Sequence, residues 1–452
     1  MPKLKRELSL FTATFYGIGI ILGAGIYVLI GQAAGIAGNA VWLSFIVAAI
    51  IATFTGLSYA ELAGMFPKDA AEYVYTKKAF GKKYLSFIVQ WIMLFTLVVS
   101  ATTVALGFAG YFSFLFGVPQ LAAAAGLLVL VSLVNYIGIR SSTRIEVVST
   151  IIEMSGLLLA IIIGFMLFGK METNYFSSPS GLSSVLPATA LIFFAYLGFE
   201  ELVNMSEETK NASKIIPKAL VIALGISTLL YILVSLASVT AIGADALSQS
   251  AAPLAEVVSA GIPQASLLMS VIALFATGNT VLIILIVASR MLYGLSSNNT
   301  LPNAFGRLGK RKTPYISVFT VMIFSILFLF IGGIKTIASL TDVGIFAVYL
   351  FVNAAVIQLR YKMPKAKRTF RSPISIGKFP LLALLGIASS FLMFMQFEPA
   401  LILYEIAVAV IGVGIYEASI KIKKHREKAH PRLFRKHTLT SNGLNKVKAA
   451  AR

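Results

Sequence analysis

Gly17-Ile18-Gly19-Ile20-Ile21-Leu22-Gly23-Ala24-Gly25-Ile26 sets four glycines into a stretch that is otherwise apolar. Each glycine weakens a helix by ~1 kcal/mol relative to alanine. In hydrocarbon the backbone groups so freed must find partners or line a cavity. Gly17 and Gly19 suit close helix packing, whereas Gly23-Ala24-Gly25 reads as an unwound break. The half-helix that begins there aims the N–H groups of Gly23 to Ile26, and its positive dipole end, at whatever sits in the break, and a carboxylate fits that place. A second interruption, Phe193-Phe194-Ala195-Tyr196-Leu197-Gly198-Phe199-Glu200-Glu201, sets a glycine beside two carboxylates. Unwound carbonyls at Ile21, Phe193 and Phe194 would accept hydrogen bonds from an ammonium group. A ligand bearing both charged groups is an α-amino acid. The glycine run is not a phosphate loop, because no strand precedes it and no Gly-Lys-Ser/Thr follows.

The elements that must position these residues are apolar. Of the 452 residues 58% are hydrophobic and 12% charged, against roughly 25% charged in soluble domains. Such a chain cannot cover itself with polar surface, so it is expected to be an integral membrane protein. Runs of ~20 apolar residues predict twelve spans, at 11–36, 41–66, 85–115, 121–139, 145–169, 185–205, 216–242, 264–296, 315–332, 336–359, 379–396 and 399–420. The predicted organisation is a transmembrane domain over 1–420, with a first repeat at 11–169, a second at 185–359 and extra helices at 379–420, followed by a basic tail at 421–452. Of the 38 lysines and arginines only Lys170 and Lys335 fall in odd-numbered loops. The positive-inside rule then puts both termini in the cytoplasm, and the cell membrane is the expected location. The basic tail and the net charge of +20 read as anchoring to anionic lipid head groups rather than as nucleic-acid binding. There is no cysteine, and the histidines, His425, His430 and His437, lie in the tail. Disulfides, thiolate sites and intramembrane histidine chemistry are thereby excluded, and no enzyme, cofactor or metal is expected.

The stretches GIILGAGIYVLIGQAAGIAG, SYAELAGMFPKDAAEYVYTKKAFG, FFAYLGFEELVNMSEETKNASKIIPKAL, SRMLYGLSSNNTLP and LRYKMPKAKRTFRSP follow one another in order over nearly the whole chain. Taken together they resemble the amino acid permeases of the amino acid–polyamine–organocation superfamily, which have the LeuT-type fold. The resemblance implies an all-α protein with two inverted five-helix repeats, alternating access, and substrate held between the breaks of spans one and six. It implies that Gly23, Ala24 and Gly25, with Ile26, hold the carboxylate, and that Phe194 and Leu197 line the side-chain pocket, with Phe194 as gate. Ala70-Ala71 stands where the family often has Gly-Gly.

In span five, several proton-coupled relatives carry a lysine where this chain has Glu153. Glu153 lies nine residues past Arg144, roughly 13 Å into the bilayer, where an unpaired charge is costly. Three roles stand open: a proton-coupling acid, a structural carboxyl, or a sodium ligand together with Thr277 and Thr280 of span eight. Glu200 aligns with a glutamate of some antiporter relatives and could gate, couple protons, attract cationic substrates or serve structure. Helical spacing is expected to keep Glu200 and Glu201 from both facing the cavity. Asp342 and Glu405 are further intramembrane acids, Glu405 being expected to pack or to meet another subunit. The expected function is proton-driven uptake of neutral or hydrophobic L-amino acids. The alternatives are a cationic amino acid carrier, an amino acid/amine exchanger, or a non-transporting sensor on the same scaffold. A channel lacks its filter residues.

Overall fold

In the computed structural model, residues 8–67, 71–138, 143–170, 172–297 and 300–429 are described, without the side chains of 143–145, 207 and 422–429. Lys3, Lys5 and Arg6, and the tail from 430 onward with His430 and His437, lie outside the described residues. The first helix, α1 (Leu10–Leu22), starts at Ser9, whose side chain and backbone exchange hydrogen bonds with Thr12. It stops at Gly23, and α2 (Gly25–Ala37) resumes on the far side of Ala24. Then come α3 (Val41–Met65), α4 (Ala71–Phe80), α5 (Lys83–Phe116), α6 (Gln120–Ile137) and α7 (Thr143–Met166).

After a loop, α8 (Val185–Ile192) runs into a 3-10 turn over Phe193–Tyr196, and α9 (Phe199–Asn204) follows. The chain continues with α10 (Ala212–Gln249), α11 (Pro253–Gly261), α12 (Ala265–Ser297), α13 (Tyr315–Phe328) and α14 (Ile334–Lys362). A two-residue hairpin, β1 (Ser375–Ile376) with β2 (Phe379–Pro380), precedes α15 (Leu381–Phe394) and α16 (Pro399–Ala429). Among the described residues nine helical stretches are long and apolar enough to cross a membrane, and α13 and α15 are shorter apolar helices.

Two helices were not expected as helices from the sequence. They are too short to register in a search for spans. The first, α4, carries Glu72 in its first turn and Lys77 and Lys78 in its last, where the lysines complement the negative end of the helix dipole. The second, α11, opens on Pro253, whose missing N–H costs nothing in a first turn. The interior is organised by α3 packed along α10 and by α5 packed against both α12 and α14. Where α3, α14 and the hairpin loop meet, the Glu61 carboxylate takes bonds from Arg360 Nε (3.0 Å) and Nη2 (2.6 Å), Arg368 Nε (3.1 Å) and the Ser372 N–H (2.9 Å).

Candidate functional site

The two interruptions predicted from sequence lie against each other. A Cβ on Gly25 would land on the backbone of Ala195, and one on Gly198 would strike Ile20. Glycine is required at both places for the chains to approach this closely. Gly198 also has φ +116°, a region that side chains strongly disfavour. Leu197 is extended, so span six truly parts between the 3-10 turn and α9.

Around this junction lies a cavity of 70 Å³, walled by Ile21, Ala24 and Gly25 from the first break and by Phe194, Leu197 and Gly198 from the second. Thr280 and Asn279 of α12, and Thr96 and Ser100 of α5, supply polar groups. No side chain caps α2, so its leading N–H groups, among them those of Gly25 and Ile26, remain for a ligand. Small-molecule sites usually occupy ~300–1,000 Å³, so admitting a ligand requires the walls to part. A larger cavity of 830 Å³ sits between α5, α13 and α16. Its lining of residues such as Phe95, Val98, Phe324 and Ile411 suits hydrocarbon tails, not a charged solute.

The other sequence-derived candidates fall less centrally. Gly23 meets Thr280 rather than open space. Ile26 is buried in packing. The Phe193 ring points away from the cavity into an aromatic cluster, 4.5 Å from Phe346 and edge-on to Tyr349. Glu153 is buried with Oε2 unbonded, and it does not wall the cavity. Asn279 lies beside its carboxyl and lines the cavity as well, so it is the group that connects the two. Thr277 and Thr280 donate their hydroxyl protons to Ala273 (2.6 Å) and Ala276 (2.9 Å) one turn back, which leaves oxygen lone pairs free on both.

Glu200 and Glu201 both line the cavity, against the expectation that only one would. The spacing argument fails because the cavity sits at the end of α9 rather than along its side, and both residues are in its first turn. Glu200 Oε2 accepts from the Gly198 N–H (3.1 Å) and from Tyr349 (3.3 Å), so it helps to close the broken end of span six. Asp342 is fully buried, with the Phe194 backbone beside its carboxyl. Glu405 packs toward Gly344 of α14.

Sequence reasoning passed over Tyr231. Its hydroxyl, carried on α10, lies 2.5 Å from the Ile21 carbonyl and 2.7 Å from the Ala195 carbonyl. One phenol thus spans both breaks. The Ile21 carbonyl expected to await an ammonium group already has this partner, with its second lone pair to spare. The signal was a lone tyrosine in an apolar run, since a buried phenol needs a polar partner.

The model of the family described as "Amino acid permease" matches residues 8–415. The chain belongs to the amino acid permease family. Among curated relatives of this permease-family chain, a branched-chain amino acid permease of Bacillus subtilis is 30% identical over 405 residues, covering 84% of this chain and 86% of that one. A methylthioribose transporter of the same organism is 30% identical over 394 residues, covering 82% and 84%. Cationic amino acid transporter 4 of Mus musculus is 28% identical over 386 residues, covering 79% of this chain and 60% of the relative. Family membership together with the apolar helices makes this permease a multi-pass membrane protein.

Proposed function

We propose that the protein is a secondary active carrier that takes up neutral, branched-chain or other hydrophobic L-amino acids, driven by protons. The observation that carries this reading is the junction of the two breaks. There uncapped N–H groups of α2 face a carboxylate position, the Ile21 and Phe194 regions offer carbonyls to an ammonium, and Phe194 and Leu197 present apolar surface to a side chain. The branched-chain relatives favour an apolar substrate.

Twelve spans in two inverted five-helix halves agree with the packing. The contact of α1 with α10 recurs as that of α8–α9 with α3, and the contact of α5 with α14 recurs as that of α12 with α7. In this reading the basic loops and both termini face the cytoplasm of a cell membrane. Glu153 then carries the proton, reporting on the cavity through Asn279. A second reading, carriage of cationic amino acids, is favoured by Glu200 and Glu201 both lining the cavity and by relatives named as cationic amino acid transporters.

The test is uptake of a radiolabelled L-amino acid mixture into proteoliposomes under an inward proton gradient without sodium. Proton symport predicts accumulation that a protonophore and Glu153→Gln each abolish, with leucine and isoleucine the strongest competitors. Competition mainly by lysine and arginine selects the cationic reading. Movement only against preloaded amino acid, whatever the gradient, makes the protein an exchanger.

A further inference from the structure

Glu72 does not line the cavity, yet it is fully buried in a short polar helix outside the apolar spans. Tyr59 of α3 donates to its Oε1 at 3.0 Å, and its Oε2 has no partner. The helix that carries it is fastened to α9 through Asn204. The Asn204 Oδ1 accepts the Ala71 N–H at 3.1 Å, and its Nδ2 donates to Glu201 Oε2 at 3.3 Å. Glu201 Oε1 is buried and unbonded. Glu200 is bound by Tyr349, whose ring meets that of Tyr59 edge to face with centroids 6.0 Å apart.

Three buried carboxyls are thus strung between the cavity and the outer helix α4, joined by two tyrosines and an asparagine. The titratable groups facing Glu72 are Tyr59 from α3, Tyr75 from its own helix, Glu200 and Glu201 from α9, and Tyr349 from α14. No described basic side chain pairs with any of the three acids. Lys362, a cation bonded to α4, donates to the carbonyls of Lys78 and Ala79 at the helix's other end.

We propose that Glu72 is a further coupling residue of this carrier, the cytoplasmic terminus of a proton path that begins at Glu200 and Glu201 beside the cavity. The inference rests on the proton-coupled reading above. In the closed seam between α4 and α9 the carboxyls sit without counter-charge, which is tolerable only while they keep their protons. Burial pushes the Glu72 carboxyl above the usual carboxylate range, partly offset by hydrogen bonds from its own backbone and from Tyr59. When the Glu72 O–H bond breaks, the proton passes to cytoplasmic water and the electron pair stays on the carboxylate. The resulting carboxylate is left buried with no counter-charge, which is costly until water reaches it. Admitting that water loosens α4 from α9, whose first-turn acids line the cavity. Substrate exit is thereby tied to proton release on the same side.

The experiment compares the wild type with Glu72→Gln and Glu72→Asp in proteoliposomes, using the radiolabelled L-amino acid mixture. Two readouts are taken: counterflow against preloaded unlabelled mixture with no gradient, and accumulation under an inward proton gradient. Glu72→Gln keeps the seam's shape without a releasable proton, so accumulation should fall far more than counterflow. Glu72→Asp, which restores the acid on a shorter stem, should recover accumulation with a shifted pH midpoint. Equal loss of both readouts in the Gln variant, or accumulation equal to wild type, overturns the role of Glu72 alone. Absence of gradient-driven accumulation in the wild type overturns the proton-coupled reading, and this inference with it. Should Glu72→Gln fail to assemble, an unshifted midpoint in Glu72→Asp overturns the proposal.

Discussion

Two glutamates thirteen residues or fewer from Tyr59 on the same stretch of chain, Glu61 and Glu72, are both buried, and their surroundings are opposite. Glu61 accepts two bonds from Arg360, one from Arg368 and one from a backbone N–H. Beyond its own backbone Glu72 is met only by the Tyr59 hydroxyl, and its Oε2 has no partner. The first site neutralises its charge and ties α3, α14 and the hairpin loop into one body. The second leaves a buried carboxyl with no counter-charge. Full pairing is what a fixed joint needs, and incomplete pairing is what a moving or titrating part needs. The difference makes the Glu61 site a fastener and the seam at Glu72 a working surface.

The largest effect that this contrast predicts is at the fastener. Glu61→Gln leaves two guanidinium groups buried without their carboxylate, and removing one partner of a buried pair costs ~3–5 kcal/mol. Thermal unfolding of purified protein should show that loss, and a midpoint unchanged from wild type would end the distinction between the sites. Arg360→Lys keeps the charge and loses the two-pronged geometry, so its loss should be clearly smaller than that of Glu61→Gln.

Next in size is Tyr231→Phe. Losing the hydroxyl uncouples the carbonyls of Ile21 and Ala195 and leaves buried acceptors unmade, at ~1–3 kcal/mol. The two breaks would part more readily, so uptake should fall by more than the amount of folded protein does. Equal losses in uptake and in folded protein would make Tyr231 a packing residue only.

The sequence displayed the breaks because glycine in an apolar run has few physical explanations, and Gly25 and Gly198 both proved to be points where backbones touch. It displayed the acids because charge in hydrocarbon stands out. It did not display Tyr231 or Asn279, since each is an ordinary residue whose importance comes from what lies across the bundle. Phe193 and Phe194 are adjacent and identical in type, and only the 3-10 turn decides which ring faces the cavity. The paired face of Glu200 and Glu201 was hidden for a related reason: helix periodicity says which side a residue is on, and says nothing where the helix begins at the site itself. Glu72 lay within a stretch read as a loop, where burial leaves no local trace.

The smallest predicted effect is the sharpest test of the contrast, because it has a sign. Glu72 is held above its ordinary value by burial, so the fold favours its neutral form. Its contribution to stability is therefore fully present below the value of an unfolded glutamate, about 4.3, and is lost as pH rises through the higher folded value. The wild-type unfolding midpoint should accordingly decline on the alkaline side of that window relative to Glu72→Gln, whose amide has no proton to lose. Below the window the two curves should run together apart from a constant offset. The subtraction reports Glu72 together with its coupling to Glu200, Glu201 and Tyr59, which feel its charge. Parallel curves across the whole range would mean that Glu72 keeps its proton, or never holds one, in the folded protein, and the seam would then be as static as the joint at Glu61.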